Sequence, residues 1–129
     1  MIWAVDGPDR VGKTTALLEA VRDKNYQVYV HSSNWPGTYY NWRQRIGAVI
    51  DLQLDAVMDR FFLSELAYSE LRNEASLMTM GEASTLMHLY EKRFVPEVWL
   101  PLGADGPLIA IYDRLARELG IPVRLVQPV

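Results

Sequence analysis

Residues 7–14 read Gly-Pro-Asp-Arg-Val-Gly-Lys-Thr, which matches the phosphate-loop pattern G-x-x-x-x-G-K-[ST]. An apolar run, Ile2 to Val5, precedes the loop, and an amphipathic run follows it. Two glycines let the backbone curl so that successive N–H groups point at one anion, and the next helix adds its positive N-terminal end. This pattern constrains the chain to a strand, a loop and a helix that bind a nucleotide triphosphate with Mg²⁺.

Each loop residue type suits one part of that ligand. Lys13 is expected along the β- and γ-phosphates, and Thr14 on Mg²⁺. The alternative is a glycine-containing turn with an accidental lysine. The residues expected to bind the nucleotide are Gly7, Pro8, Asp9, Arg10, Val11, Gly12, Lys13, Thr14 and Thr15.

Length and composition narrow the class of protein. The 129 residues predict a single domain, 1–129, and half of them are apolar. The net charge of −3 with dispersed arginines makes a small phosphorylated molecule a better partner than nucleic acid, although a polynucleotide 5′ end stays open. The sequence contains no cysteine, begins with a strand directly after Met1, and has no apolar run of about 18 residues. We therefore expect a cytoplasmic protein with no membrane partner.

Strand-like and helix-like runs alternate, which predicts an α/β three-layer P-loop NTPase fold with a five-stranded parallel sheet flanked by helices. On the helix over residues 61–74, Glu70 and Arg72 are expected to face solvent. Pro96 and Pro101 are expected to bracket a short fourth strand. The predicted strands are 2–6, 27–31, 55–59, 97–102 and 122–126, and the predicted helices are 13–23, 38–51, 61–74, 81–93 and 107–119.

A second motif follows the third predicted strand. Ala56-Val57-Met58 delivers Asp59 at the carboxyl edge of the sheet, where parallel sheets place their ligands. Asp59 is therefore a candidate Walker B aspartate that holds Mg²⁺ directly or through water. The alternative is that Asp59 caps the next helix.

The run of residues 59–68, Asp-Arg-Phe-Phe-Leu-Ser-Glu-Leu-Ala-Tyr, resembles the D-R-[YF]-x-x-S-x-x-A-Y segment of thymidylate kinases. The phosphate loop is similar to the form in that family that has an Asp-Arg pair inside the loop, here Asp9-Arg10. Trp35-Pro36 and Pro96-Glu97-Val98 resemble the family's dipeptide after the second strand and its Pro-Asp-Leu before the fourth. These matches occur in family order and span most of the chain.

The resemblance implies a role for each matched position. Arg10 would reach the γ-phosphate as a catalytic residue together with Lys13, and Asp9 would face the sugar hydroxyl of the acceptor. Arg60 would grip the acceptor phosphate, for which a bidentate guanidinium is suited. Tyr68 would border the acceptor sugar. Alternatively, the two arginines form surface ion pairs and the tyrosine packs at the edge of the core.

The chain departs from the family in three places. Residues 37–58 are too few for the helix that carries the family's base contacts, and a substitute wall for the base could come from Tyr39, Tyr40, Trp42, Arg43 and Arg45. Alternatively, these five side chains pack their helix onto the sheet. Of this region, Trp35, Pro36 and Arg43 are taken as candidate acceptor-binding residues. Residues 103–106 replace an arginine-bearing lid, and Arg114 and Arg117 on the next helix are expected to form a solvated face. The sequence ends with the last strand, without the segment that usually covers the donor base.

The leading hypothesis is an ATP- and Mg²⁺-dependent phosphotransferase acting on a deoxynucleoside monophosphate or similar acceptor. The alternatives are a nucleotide-binding regulatory module with little turnover, a polynucleotide 5′-kinase and a nucleotide hydrolase. A homodimer is a further expectation, because a second copy would supply a missing wall. Its candidate contacts are Leu86, Met87, Leu89, Tyr90, Leu108, Ile111, Tyr112 and Leu115.

Overall fold

The computed structural model describes residues 1–23 and 25–128 and shows a five-stranded sheet in the order β2-β3-β1-β4-β5. All neighbouring strands are parallel. The elements are β1 (Ile2–Asp6), α1 (Lys13–Arg22), β2 (Val28–His31), α2 (Tyr39–Asp51), β3 (Ala56–Asp59), α3 (Leu63–Leu71), α4 (Met80–Leu89), β4 (Phe94–Pro101), α5 (Pro107–Leu119) and β5 (Val123–Val126).

The sheet separates two apolar layers. On one face, Val5, Val57 and Trp99 pack with Leu17 of α1. On the other face, α2, α3, α4 and α5 cover a larger core that includes the side chains of Ile2, Ala4, Ala56, Met58, Val98 and Leu100. The strands β1 and β3 lie inside the sheet and are almost entirely buried, which explains why both read as unbroken apolar runs. This arrangement confirms the predicted three-layer α/β fold.

The register brings β1 and β3 to the same edge of the sheet. Val5 pairs with Asp59 of β3, and His31 of β2 is the next partner along. Parallel strands place their carboxyl ends together, and the loop after β1 leaves from the same edge. The two sequence motifs therefore meet in space.

The prolines of β4 lie within the strand rather than on either side of it. The strand begins at Phe94, includes Pro96 and ends at Pro101, so the expectation of a strand bracketed by these prolines is wrong. Val98 donates its backbone N–H to Pro122 on the β5 side. Residues 96 and 98 have the same orientation in the strand, so a backbone N–H at position 96 would also point toward the β5 side. Because β5 pairs with β4 only from Val98 onward, the N–H that Pro96 lacks would have no partner in β5.

Two helices, α3 and α4, are shorter than predicted by more than one residue, for local reasons. Arg60 and Asn73 adopt left-handed backbone conformations, with φ of 69° and 54°, which limits α3 to Leu63–Leu71. The helix α4 begins after a capping box formed by Thr79 and Glu82 and ends at Leu89 rather than Arg93. By contrast, β1 and α5 have the predicted bounds.

The residues considered as dimer contacts mostly belong to this core. Leu86, Tyr112 and Leu115 are buried, whereas Leu89 is 47% exposed. Arg114 pairs with Glu70 and Glu118, and Arg117 pairs with Asp113, so the helical arginines lie on the solvated face expected for them. None of the helices in the described part of the chain has both the length and the apolar character needed to cross a membrane.

Candidate functional site

The phosphate loop connects β1 to α1 and depends on two glycines. Gly7 has φ of 143°, and a β-carbon at this position would lie 2.2 Å from the backbone oxygen of Trp99 in β4. Gly12 has φ of 78° and forms the N-cap of α1. Only glycine suits the first of these positions, because both the conformation and the space exclude a side chain. The loop residues Pro8 and Val11 are buried, whereas Asp9 and Arg10 are exposed.

Lys13 lies inside the loop, and its side chain is largely buried. Its Nζ donates a hydrogen bond to the carbonyl oxygen of Pro8 at 3.0 Å. Burial and, next in importance, the nearby charge of Arg60 lower the pKa of Lys13. Arg10 has φ of 64° and projects toward solvent at the same end of the sheet. The loop thus presents two cations, one held inside it and one exposed.

Asp59 is joined to the first turn of α1. The Thr14 hydroxyl donates to Asp59 Oδ2 at 2.5 Å, and the Tyr29 hydroxyl donates to the same oxygen at 2.6 Å. Burial and this hydrogen bond raise the pKa of Tyr29 to about 12. A threonine hydroxyl beside a buried carboxylate offers the oxygen donors that Mg²⁺ prefers. Thr14 and Asp59, predicted separately from the two motifs, therefore fit one metal site.

That site would rely on its ligand for most of its oxygen donors. The described residues hold no cluster of three or more histidine, cysteine or acidic side chains suited to a metal ion. Mg²⁺ commonly uses one or two protein oxygens together with nucleotide phosphates and water. The donor set formed by Thr14 and Asp59 fits this pattern.

Asp6 belongs to the candidate site, although the sequence reasoning did not include it. Its side chain is fully buried and accepts from the backbone N–H groups of Gly7, Phe61 and Ser64 at 2.8, 3.2 and 2.9 Å. The hydroxyls of Ser64 and Tyr112 also donate to it. A carboxylate with this many donors ties the loop to α3 and α5. The available signal was an aspartate at the carboxyl end of β1, directly before the first loop glycine.

Arg60, which directly follows β3, contacts the phosphate loop. Its Nη2 lies 2.7 Å from Asp9 Oδ1, and its Nη1 donates to the backbone oxygen of Gly7 at 3.2 Å and lies 3.6 Å from Asp6 Oδ1. Burial is the largest single influence and would lower the pKa of Arg60, but the charge of Asp6, together with smaller contributions from Tyr112, Tyr68 and Asp9, outweighs it, so the net pKa is raised. The guanidinium therefore stays charged beside the loop.

A cleft of about 280 Å³ lies next to Arg60. Trp35 and Trp42 form part of its wall, with ring centroids 4.9 Å apart. The Cζ atoms of Arg60 and Arg72 lie 5.7 and 5.6 Å from the ring centroid of Tyr68. The lining residues are Ser32, Ser33, Trp35, Gly37, Trp42, Arg60, Phe61, Ser64, Glu65, Tyr68 and Arg72.

Three of the residues predicted for acceptor binding, Trp35, Arg60 and Tyr68, line this cleft. Asp9 contacts Arg60 at its edge, while Pro36 is exposed and does not line it.

Arg43 is placed elsewhere, and this corrects the sequence interpretation. It lines a separate cavity with Gly47 and Tyr90, whose hydroxyl donates to the Arg43 backbone oxygen at 2.8 Å. Trp42 is the residue of α2 that faces the cleft, and the next residue lies about 100° around the helix. Arg45 instead approaches Trp35, with Cζ 4.9 Å from the ring centroid.

The cleft wall contains an unpaired donor. Within residues 1–23 and 25–128, Trp42 Nε1 is the buried side-chain polar atom that has no hydrogen-bond partner. Glu65 and Arg72 were not among the predicted site residues, because neither occupies a position that a motif specifies: Glu65 is a variable position of the 59–68 segment, and Arg72 lies beyond it. Trp42 was considered only as one of five side chains that could form a substitute wall for a base. Arg72 was expected to face solvent, and it does so at the edge of this cleft.

The comparisons with known proteins bear on the fold. No family model and no curated protein matches the sequence. The fold is similar to that of the YorR protein from Bacillus subtilis, whose crystal structure is of a complex with phosphorylated GDP. The TM-score is 0.69 and the sequence identity is 14%, over 98% of this chain and 85% of YorR. The chain therefore shares its fold with a protein that was crystallised with a nucleotide.

Proposed function

We propose that this protein is an ATP- and Mg²⁺-dependent phosphotransferase that transfers the γ-phosphoryl group of ATP to a deoxynucleoside monophosphate or a similar phosphorylated acceptor. One observation carries the proposal: Arg60 extends from the carboxyl end of β3 between the phosphate loop and the aromatic cleft, contacting Gly7 and lining the cleft. Phosphoryl transfer depends on holding donor and acceptor close together and on stabilising negative charge, and a guanidinium between the two sites would contribute to both.

The donor side is assigned to residues 7–15. Backbone N–H groups of the loop and the N-terminus of α1 would bind the β- and γ-phosphates. Lys13 would neutralise their charge, and Arg10, which is exposed beside the loop, would reach the γ-phosphoryl group. The lowered pKa of Lys13 rises again when phosphates replace part of its lost solvation.

The metal would be held by Thr14 and Asp59. The chemistry that these two residues would bring to the site is that of a divalent cation, whose charge offsets the negative charge of the transferring group. Tyr29 donates to Asp59 Oδ2, so it holds the carboxylate in place and leaves the other oxygen, Oδ1, for the metal or its water.

The acceptor side is assigned to the cleft. Arg60 would bind the acceptor phosphate, Tyr68 would border the sugar, and Trp35 would pack against the base. Asp9 would exchange part of its contact with Arg60 for the sugar hydroxyl. A phosphate oxygen of the acceptor would attack the γ-phosphorus as its bond to the β–γ bridging oxygen breaks, which leaves ADP and a phosphorylated acceptor.

Three further observations support a nucleotide ligand. The fold is shared with YorR, which was crystallised with phosphorylated GDP. The loop keeps its glycines at the positions where the backbone requires them. The sequence contains all five of the cationic or metal-binding side chains that the proposed transfer uses, namely Arg10, Lys13, Thr14, Asp59 and Arg60. The cytoplasm, where these nucleotides are abundant, is the proposed compartment.

A second candidate is a nucleotide-binding regulatory module. The observation that favours it is the connection between β4 and α5, where residues 102–106 form a turn rather than a lid. Poor exclusion of water around the γ-phosphoryl group would slow transfer and permit some hydrolysis. This candidate predicts nucleotide binding with little turnover.

The test is a transfer assay with γ-labelled ATP and Mg²⁺ against a panel of nucleoside monophosphates and a 5′-hydroxyl oligonucleotide, with free phosphate measured in parallel. We expect label on a nucleoside monophosphate and its loss in Lys13→Ala. Lys92→Ala, an exposed lysine distant from the cleft lining, is the matched control. ATP binding without label on any acceptor would favour the regulatory module, and label on the oligonucleotide would identify a polynucleotide kinase.

A further inference from the structure

The proposed acceptor cleft is lined by two opposite charges that form no ion pair within the described part of the chain. Glu65 and Arg72 both line the cleft. They are seven positions apart, or about two helical turns, so they lie on the same side of α3 and its C-cap, about 10 Å apart along the axis. Within residues 1–23 and 25–128, none of the ion pairs involves either side chain. A carboxylate and a guanidinium thus face the same space without neutralising each other.

Glu65 is held in one position. Its Oε1 accepts hydrogen bonds from the backbone N–H of Leu77 at 2.7 Å and from Ser69 Oγ at 3.4 Å. Gly37 packs against the carboxylate so closely that a β-carbon there would lie 2.8 Å from Glu65 Oε2. Among the described residues, Oε2 has no hydrogen-bond donor, in contrast to Oε1. The cleft therefore presents one fixed oxygen that can only accept.

The rest of the wall suits a planar ligand. The guanidinium of Arg72 lies back over Tyr68, toward the N-terminal end of α3, because helical side chains lean in that direction. Trp35 and Trp42 add aromatic surface. Arg72 has five donors, which match a carbonyl oxygen and an adjacent ring nitrogen.

We propose that Glu65 and Arg72 select the base of the acceptor and favour guanine. Guanine places two adjacent N–H donors beside a carbonyl oxygen, so its edge matches Glu65 Oε2 and Arg72 together. Thymine has its one N–H between two carbonyl oxygens, which would face the carboxylate and repel it. Adenine and cytosine each have one amino group next to a ring nitrogen that accepts, so we expect their affinities to lie between those of guanine and thymine. This inference rests on the proposed function, since it names the acceptor of the same site.

The test compares the affinities of dGMP and dTMP by titration calorimetry in the presence of a non-hydrolysable ATP analogue. In Glu65→Gln the side-chain oxygen still accepts from Leu77, while the free oxygen becomes an amide donor. The control is Glu70→Gln, on the same helix but paired with Arg114 at the surface. We expect the wild-type protein and the control to bind dGMP at least about 10-fold more tightly than dTMP. Glu65→Gln should reduce that ratio by about 10-fold or more.

An unchanged ratio in Glu65→Gln, or a wild-type protein that binds dTMP as tightly as dGMP, would overturn the base assignment. Transfer of labelled phosphate is measured on the same preparations. If the proteins transfer phosphate but Glu65→Gln has the same dGMP-to-dTMP affinity ratio as the wild-type protein, this inference fails and the phosphotransferase proposal stands. Absence of transfer to all four nucleoside monophosphates removes both.

Discussion

The buried carboxylate of Asp6 gives the sharpest prediction for stability. Its two oxygens accept from three backbone N–H groups and two hydroxyls, and the guanidinium of Arg60 lies 3.6 Å away. The substitution Asp6→Asn keeps the shape but turns one oxygen into an amide that donates. Whichever way the amide is oriented, it faces at least one backbone N–H, that of Gly7 or those of Phe61 and Ser64.

The cost follows from these contacts. A buried backbone N–H left without an acceptor costs about 1–3 kcal/mol, and hydrogen bonds to a charged group are each worth about 1.5–3 kcal/mol. Removing one partner of a buried ion pair costs about 3–5 kcal/mol. These terms overlap at one site, so we expect Asp6→Asn to lower the free energy of unfolding by about 3–5 kcal/mol. That is a large part of the typical stability of a domain, about 5–15 kcal/mol.

Equilibrium unfolding in urea, followed by far-UV circular dichroism, measures this difference. The matched control is Asp9→Asn, which removes the other carboxylate that contacts Arg60 but lies at an exposed position. A surface pair of this kind is worth about 0–1 kcal/mol. A loss below about 1 kcal/mol for Asp6→Asn, or equal losses for the two variants, would refute the role assigned to Asp6.

Two other variants test separate features. Gly7→Ala combines a φ of 143° with a contact of 2.2 Å to Trp99 O, so its loss of unfolding free energy should exceed that of Gly103→Ala, where φ is 76° and the added carbon meets open space; similar melting temperatures would contradict this. Folding raises the pKa of Tyr29 from 10.0 to about 12, so its stabilising contribution is complete below pH 10 and is lost as pH rises through about 12. Tyr29→Phe should therefore flatten the fall in stability between those pH values in urea titrations, and an unchanged slope would argue against the bond to Asp59.

The fold was predictable because its local signals agree with one another. The bounds of α5 follow from Pro107 in its first turn and Gly120 in the left-handed conformation after its end. The strand β4 was predicted less well, because Pro96 usually argues against a strand. Its missing N–H costs nothing here, since β4 pairs with β5 only from Val98 onward. That pairing is a tertiary property, which the local sequence does not encode.

The candidate site was predictable only where a motif fixes the spacing. Thr14 and Asp59 were assigned from separate motifs, and the structure places them 2.5 Å apart. Arg43 and Trp42 were both considered for a wall of the acceptor site and Arg43 was taken as the binding residue, but the phase of α2 turns Trp42 toward the cleft and Arg43 away from it. Arg72 lines the cleft although a helical pattern assigns it to solvent. A cleft between elements has an exposed wall, so periodicity does not separate such residues from an ordinary surface.

The central claim, that one arginine joins a donor loop to an acceptor cleft, is tested most directly by Arg60→Lys. The substitution keeps the charge near Asp6 and removes the bidentate fork that would hold the acceptor phosphate. The measurement is phosphoryl transfer at saturating ATP over a range of acceptor concentrations, together with the Kd of ATP. We expect kcat/KM for the acceptor to fall by about 100-fold, roughly the worth of a charge-assisted pair, while the Kd of ATP changes by less than about 2-fold. An unaltered kcat/KM, or a loss confined to ATP binding, would contradict the account.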